Sequence, residues 1–133
     1  MAGVANVSIK VKITGLGEDF EVANSQAMTV PVEHQSGYTI VATATTTAIQ
    51  LFDMIDHIAL AKIYGVYIKA EAGTIYILVD TAGTTTFAAA AADLVLNVGE
   101  ACYLPINPAG NLGLTIDAAA VTDAFSWTIL GKA

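Results

Sequence analysis

A chain of 133 residues is one domain's worth of polypeptide, long enough to bury a core without disulfides or metals. It is 55% hydrophobic and 13% charged, and its net charge of −7 comes from twelve acids against five lysines, with no arginine. Lacking the residue best suited to phosphate and guanine contacts, the chain is not expected to bind nucleic acid, and no apolar run reaches the ~20 residues of a membrane helix.

The N-terminus has no basic flank leading into an apolar block, so it does not read as a secretory signal. Val4 to Thr14 then alternates cleanly. Val7, Ile9, Val11 and Ile13 share one side, and Ser8, Lys10, Lys12 and Thr14 the other, which predicts a half-buried strand with a basic outer face. Gly15-Leu16-Gly17 is read as a turn, because it lacks the third glycine, the lysine and the helix of a phosphate loop. Phe20 and Val22 start a short second strand that runs into a loop at Asn24-Ser25-Gln26.

Met28 to Glu33 is expected to be extended, with Pro31 marking an edge. Ser36-Gly37 reads as a turn into a strand over 38–44. Ile49 to Leu60 is ambiguous, since Ile49, Phe52, Ile55 and Ile58 also recur at every third residue. The preceding threonines favour a strand to Phe52 and then a loop through Asp56.

Lys62 to Asp80 carries two runs rich in β-branched and aromatic residues, hinged on Glu71-Ala72-Gly73. Neither run gives a whole face to polar residues. The pattern predicts a hairpin at the centre of a sheet covered on both sides, by a second sheet and by another subunit. Thr81 to Ala92 reads as a loop anchored by Phe87, with one helical turn at most. Val98-Gly99-Glu100 looks like a second hairpin turn, between 94–97 and 101–106. Asn107 to Asn111 is a turn cluster. Leu112, Leu114 and Ile116 alternate as one more strand, and Phe125, Trp127 and Ile129 as the last.

Short strands with regular turn punctuation and no long helix predict an all-β chain: a single β-sandwich domain of jelly-roll type over residues 1–133. Residues 1–24 supply its N-terminal strand and an inter-subunit segment. A chain this apolar is expected to hide surface against partners as a homo-oligomer. The candidate interface residues are Val7, Ile9 and Val11 on the first strand, with Tyr64, Tyr67 and Tyr76 on the central runs.

No catalytic group, metal or cofactor is expected. Asp53 and His57 would share a face on a helix, but the only other histidine, His34, lies in a different segment, and a stable site needs three or four ligands. Ser8, Ser25, Ser36 and Ser126 sit in ordinary strand or loop contexts. Asp80, Asp93, Asp117 and Asp123 fall at strand ends, where Asp bonds the local backbone. The single cysteine, Cys102, excludes an internal disulfide and reads as a buried, inert thiol.

Lys62–Thr81 (KIYGVYIKAEAGTIYILVDT) followed by Ala92–Pro108 (ADLVLNVGEACYLPINP) resembles the small jelly-roll structural proteins of tailed bacteriophages, the capsid decoration (cement) and minor virion proteins. The resemblance implies a non-enzymatic subunit on the capsid exterior of a virion. It further implies a trimer that contacts the major capsid protein, with the N-terminal segment as a docking arm. The competing expectation is a head- or tail-fibre module that binds a receptor or carbohydrate, which calls for an exposed aromatic or acidic pocket.

Overall fold

The computed structural model describes residues 3–15, 17, 20–28, 30–41, 49–51, 58–80, 89–107 and 113–132. The chain divides into two compact units, Met1–Pro31 and Val32–Ala133.

The first unit is a two-stranded antiparallel ribbon, β1 (Ala5–Ile13) against β2 (Phe20–Met28). Its register sets Ser8 against Ser25, Val11 against Val22 and Lys12 against Glu21. The stretch Asn24-Ser25-Gln26, expected as a loop, is strand. β1 supplies its ladder, and the Ser8 hydroxyl donates to Ser25 Oγ at 2.9 Å. Met28 closes β2, and the chain at 30–32 belongs to no strand, so the extended run expected around Pro31 is a connection rather than an edge.

The second unit is a sandwich of two four-stranded antiparallel sheets. It contains β3 (Glu33–Ile40), β4 (Ile49–Gln50), β5 (Ile63–Ala72), β6 (Ile75–Asp80), β7 (Leu94–Leu96), β8 (Ala101–Pro105), β9 (Gly113–Ala118) and β10 (Ala124–Gly131). One sheet has the order β3-β10-β5-β8 and the other β4-β9-β6-β7. The pairings are nested: β3 with β10, β4 with β9, β5 with β8 and β6 with β7. The chain from β3 to β10 is therefore one long antiparallel ribbon folded back over itself.

This topology corrects both expected hairpins. β5 and β6 do not pair. Glu71-Ala72-Gly73-Thr74 instead carries the chain from one sheet to the other, with Gly73 at φ +71°. Val98-Gly99-Glu100 makes the same kind of passage, from β7 in one sheet to β8 in the other. Asn97 N donates to Glu100 Oε2 at 2.8 Å across that turn.

Ser36-Gly37 is not a turn either. Both residues lie within β3, where Gly37 faces Trp127 across the ladder. A Cβ at Gly37 would approach the indole to 2.5 Å, so the glycine makes room for a ring rather than for a bend. The expected strand to Phe52 covers only Ile49–Gln50 among the described residues, and Leu51 already lies in a 3-10 turn. Short 3-10 turns also occur at Leu60–Lys62 and Ala89–Ala91. Phe87 lies outside the described residues.

The core between the sheets is built by alternating side chains from the facing strands. Val66 and Ile68 from β5, with Phe125 and Ile129 from β10, meet Ile75 and Ile77 from β6 and Ile116 from β9, all fully buried. Each such side chain contributes about 1.5–3 kcal/mol by leaving water. Trp127, also buried, donates its indole N–H to Thr39 Oγ1 at 3.2 Å. No described helix is long and apolar enough to cross a membrane.

Candidate interaction surfaces

The three ribbon residues singled out from sequence share the side of β1 that carries Ala5, Val7, Ile9, Val11 and Ile13. That side was expected to be half-buried, but it is largely open. Ile9 is 58% exposed, Val11 48% and Ile13 41%, and Val22, opposite Val11 on β2, is 50% exposed. Among the ribbon residues whose burial is described, none is buried. The other side holds Ser8, Lys10 and Lys12 with Ala23 and Ser25, and Lys10 Nζ lies 3.6 Å from Glu21 Oε1. The side carrying Ile9, Val11 and Val22 is thus an exposed apolar strip, interrupted by Asn24 opposite Ile9.

Tyr67 lies on the outer side of the β3-β10-β5-β8 sheet. Its register neighbours are Thr128 and Tyr103, and the row continues from Thr128 to Ser36. The Ser36 and Thr128 hydroxyls stand 2.8 Å apart, in hydrogen bond. One row over, Ser126 lies between Tyr38 and Lys69, and its hydroxyl donates to Glu71 Oε1 at 2.7 Å. Tyr38 is 61% exposed and Ile40, two residues along the same side, 59%. The face thus sets tyrosine rings beside hydroxyls, with Ser36 bonded to Thr128 and Ser126 to Glu71. Sequence reading missed Tyr38 and Tyr103 as members, because alternation gives a residue's side but not which strands lie together.

Tyr103 crosses the strand beside it over Gly65, where an added Cβ would come within 2.5 Å of the phenol oxygen. That brings it towards Tyr64. Burial, and then the proximity of Tyr103, push the Tyr64 hydroxyl above its ordinary pKa, and burial does the same for Tyr103. The folded chain therefore holds these two protons more tightly than the unfolded chain. Their contribution to stability is complete below about pH 10 and is lost as the pH rises through their folded pKa values. We expect phenolate absorbance to show a late-titrating fraction from Tyr64 and Tyr103, with urea stability falling as the pH rises above about 10. A single late-free titration curve would contradict the arrangement.

Tyr76 is not part of this face. It belongs to the β4-β9-β6-β7 sheet, on the side away from the core, between Val95 and Asp117. The candidate tyrosines therefore occupy the two opposite outer sides of the sandwich. Asp117 is buried and its Oδ1 accepts the Ala118 N–H at 2.8 Å, a local backbone bond. Asp93 similarly accepts from Val79 N, and Asp123 from Ala120 N. Cys102 is half-buried against the core with its thiol pKa raised by burial.

Among the described residues no three His, Cys, Asp or Glu side chains gather as a metal site. Asp53, Asp56 and His57 lie outside the described residues. No family model, curated protein or solved structure matches the chain.

Proposed function

We propose that the protein is a non-enzymatic virion structural subunit that binds the outside of a viral capsid and stabilises the shell, assembling as a homotrimer. The observation that carries this reading is the Ala5–Met28 ribbon, in which no residue of described burial is buried and whose exposed apolar side gains by lying against something larger. The nested ribbon of Val32–Ala133 supports a jelly roll, the fold implied by the phage resemblance, because rolling one long antiparallel ribbon gives the strand orders seen here. The tyrosine face around Tyr67 and Tyr38 supplies the trimer contact, since exposed aromatic rings offer a large, rigid apolar area to a partner. The partner on the shell is the major capsid protein, engaged through many weak contacts at repeated sites.

The test is co-sedimentation with capsids that lack the protein, followed by heating. The chain is expected to pellet with the shells and to raise their disruption temperature, because a ligand of the assembled state alone stabilises that state. Light scattering coupled to size exclusion should show a single multiple of 13.7 kDa. Protein that stays in the supernatant overturns the reading.

A second reading, a receptor- or carbohydrate-binding module of a head or tail fibre, is favoured by the same tyrosine face. Exposed rings beside hydroxyls offer stacking and hydrogen bonds to a sugar. Glycan binding that disappears in Tyr38→Ala and Tyr67→Ala, with no capsid binding, would establish it.

A further inference from the structure

β1 has one unused edge. In the described residues it hydrogen-bonds only to β2, so along Ala5–Ile13 its outward N–H and C=O groups have no strand beside them. An edge of nine residues is a template for another strand. We infer that this edge pairs with β1 of a second copy of the same chain, antiparallel and centred on Ile9, to give a four-stranded sheet in the order β2-β1-β1-β2.

The sequence of β1 selects both the occupant and the register. Ile9 is the midpoint of Ala5–Ile13, so a pair centred there uses the whole strand from both copies. Ile9 meets Ile9, Val7 meets Val11 of the second copy, and Ala5 meets Ile13. On the other side Lys10 meets Ser8, and Lys12 meets Asn6. Every apolar residue faces an apolar one, and no lysine faces a lysine.

Neighbouring registers fail. Centring on Lys10 opposes the two Lys10 side chains, and centring on Val11 sets Lys10 against Lys12 twice over. A parallel in-register pair stacks both lysines on their own copies. A shift of one residue turns apolar side chains against polar ones. Centring on Ser8 avoids the lysines but leaves part of the strand unpaired. Like charges directly opposite are destabilising in a sheet, so the lysines of β1 act as register pins. β2 has no such pattern, since polar Asn24 stands at its midpoint.

The pairing also answers the ribbon's weakness. Two strands alone are marginal, whereas four with a common apolar face reach what an independent sheet requires. A two-fold axis perpendicular to the sheet through Ile9 places Val7, Ile9, Val11 and Val22 of both copies on one side. In solution the contact is weak and transient. Between copies held side by side on a surface it becomes effectively intramolecular, and it joins one oligomer to the next. It goes beyond the capsid reading and does not depend on it.

Disulfide trapping of the full chain in a Cys102→Ser background tests the pairing. The variant Ile9→Cys should cross-link to twice 13.7 kDa under mild oxidation, because directly opposed residues of antiparallel strands lie within disulfide reach. Its rate should exceed that of Val22→Cys on β2, equally open, by at least ~10-fold. Ser8→Cys mixed with Lys10→Cys should give the mixed dimer in preference to either homodimer. Equal rates at residues 9 and 22, or homodimers at 8 or 10 that match the mixture, overturn the proposal. Circular dichroism of each variant confirms that the fold is kept. A positive trap with no capsid binding would sink the decoration reading and leave the pairing; capsid binding without the trap would do the reverse.

Discussion

If the ribbon docks the protein on capsids as proposed, a chain that begins at Val32 should keep its cooperative melt and lose capsid binding. Every buried core residue described lies after that point, from Val41 to Ile129, and the ribbon contributes none. The truncated chain should therefore melt within about 5 °C of the full one, a difference of roughly 1 kcal/mol for a domain of this size. Its affinity for shells lacking the protein should fall by about 100-fold or more, equivalent to about 2.7 kcal/mol, which is the scale of three or four half-exposed apolar side chains leaving water. Co-sedimentation across a concentration series measures it. Should the truncated chain still pellet undiminished, docking belongs to the sandwich and the ribbon has another purpose. A gentler pair, Ile9→Asp with Val11→Asp in the full chain, asks the same question without removing backbone. Both positions are open enough to accept a charge without unfolding.

Gly73→Ala should be the most damaging single-methyl change in the sandwich. At φ +71° a side chain costs about 1–2 kcal/mol for local sterics alone. The new Cβ would also fall on the Asp123 carboxylate. Asp123 is buried and closes the turn before β10: its Oδ2 accepts the Ala120 N–H at 3.0 Å, and its own carbonyl accepts the Val41 N–H at 2.8 Å. Displacing it leaves buried polar groups unpaired, for about 1–3 kcal/mol more. The sum, about 2–5 kcal/mol, should lower Tm by roughly 10–20 °C. Gly99→Ala is the control. Its φ of +86° is equally glycine-like, but nothing lies within 4 Å of the added methyl, so it should lose only the conformational part. If the two variants melt together, the Asp123 contact carries no weight.

The contrast between these two glycines also shows what the sequence made legible. Alternation along 62–80, 112–116 and 125–129 marked the strands, because a pleated strand sorts its own neighbours without help from the rest of the fold. Along 62–80, however, both sides are apolar, and the inward one stayed open. Gly73 and Gly99 were correctly seen as places where the chain reverses. What no local signal carries is whether the returning strand pairs with the one it left or crosses to the facing sheet. Both glycines serve crossings, so both hairpins were misread. Gly37 misled for a related reason: its smallness answers Trp127, ninety residues away in round terms and invisible in a short window. Asn24-Ser25-Gln26 looked like loop by composition, and only the ladder from β1 makes it strand. The interface candidates divided among three surfaces for the same cause. Tyr67 and Tyr76 both lie on sides away from the core, but sheet membership, which parts them, is a property of the topology.

The position of β10 has a consequence for how the sandwich comes into being. It is the last of the described strands, yet it lies inside its sheet, between β3 and β5. Until it arrives, β3 has no neighbour in that sheet, and Phe125, Trp127 and Ile129 are missing from the core. Bonds such as that between Ser36 and Thr128 close a loop of 92 residues, so their entropic cost falls late and all at once. During synthesis, then, the earlier strands wait with an open slot for the final one, exposed to any other strand that fits it. Folding of this chain is a race between its own C-terminal strand and a neighbour's.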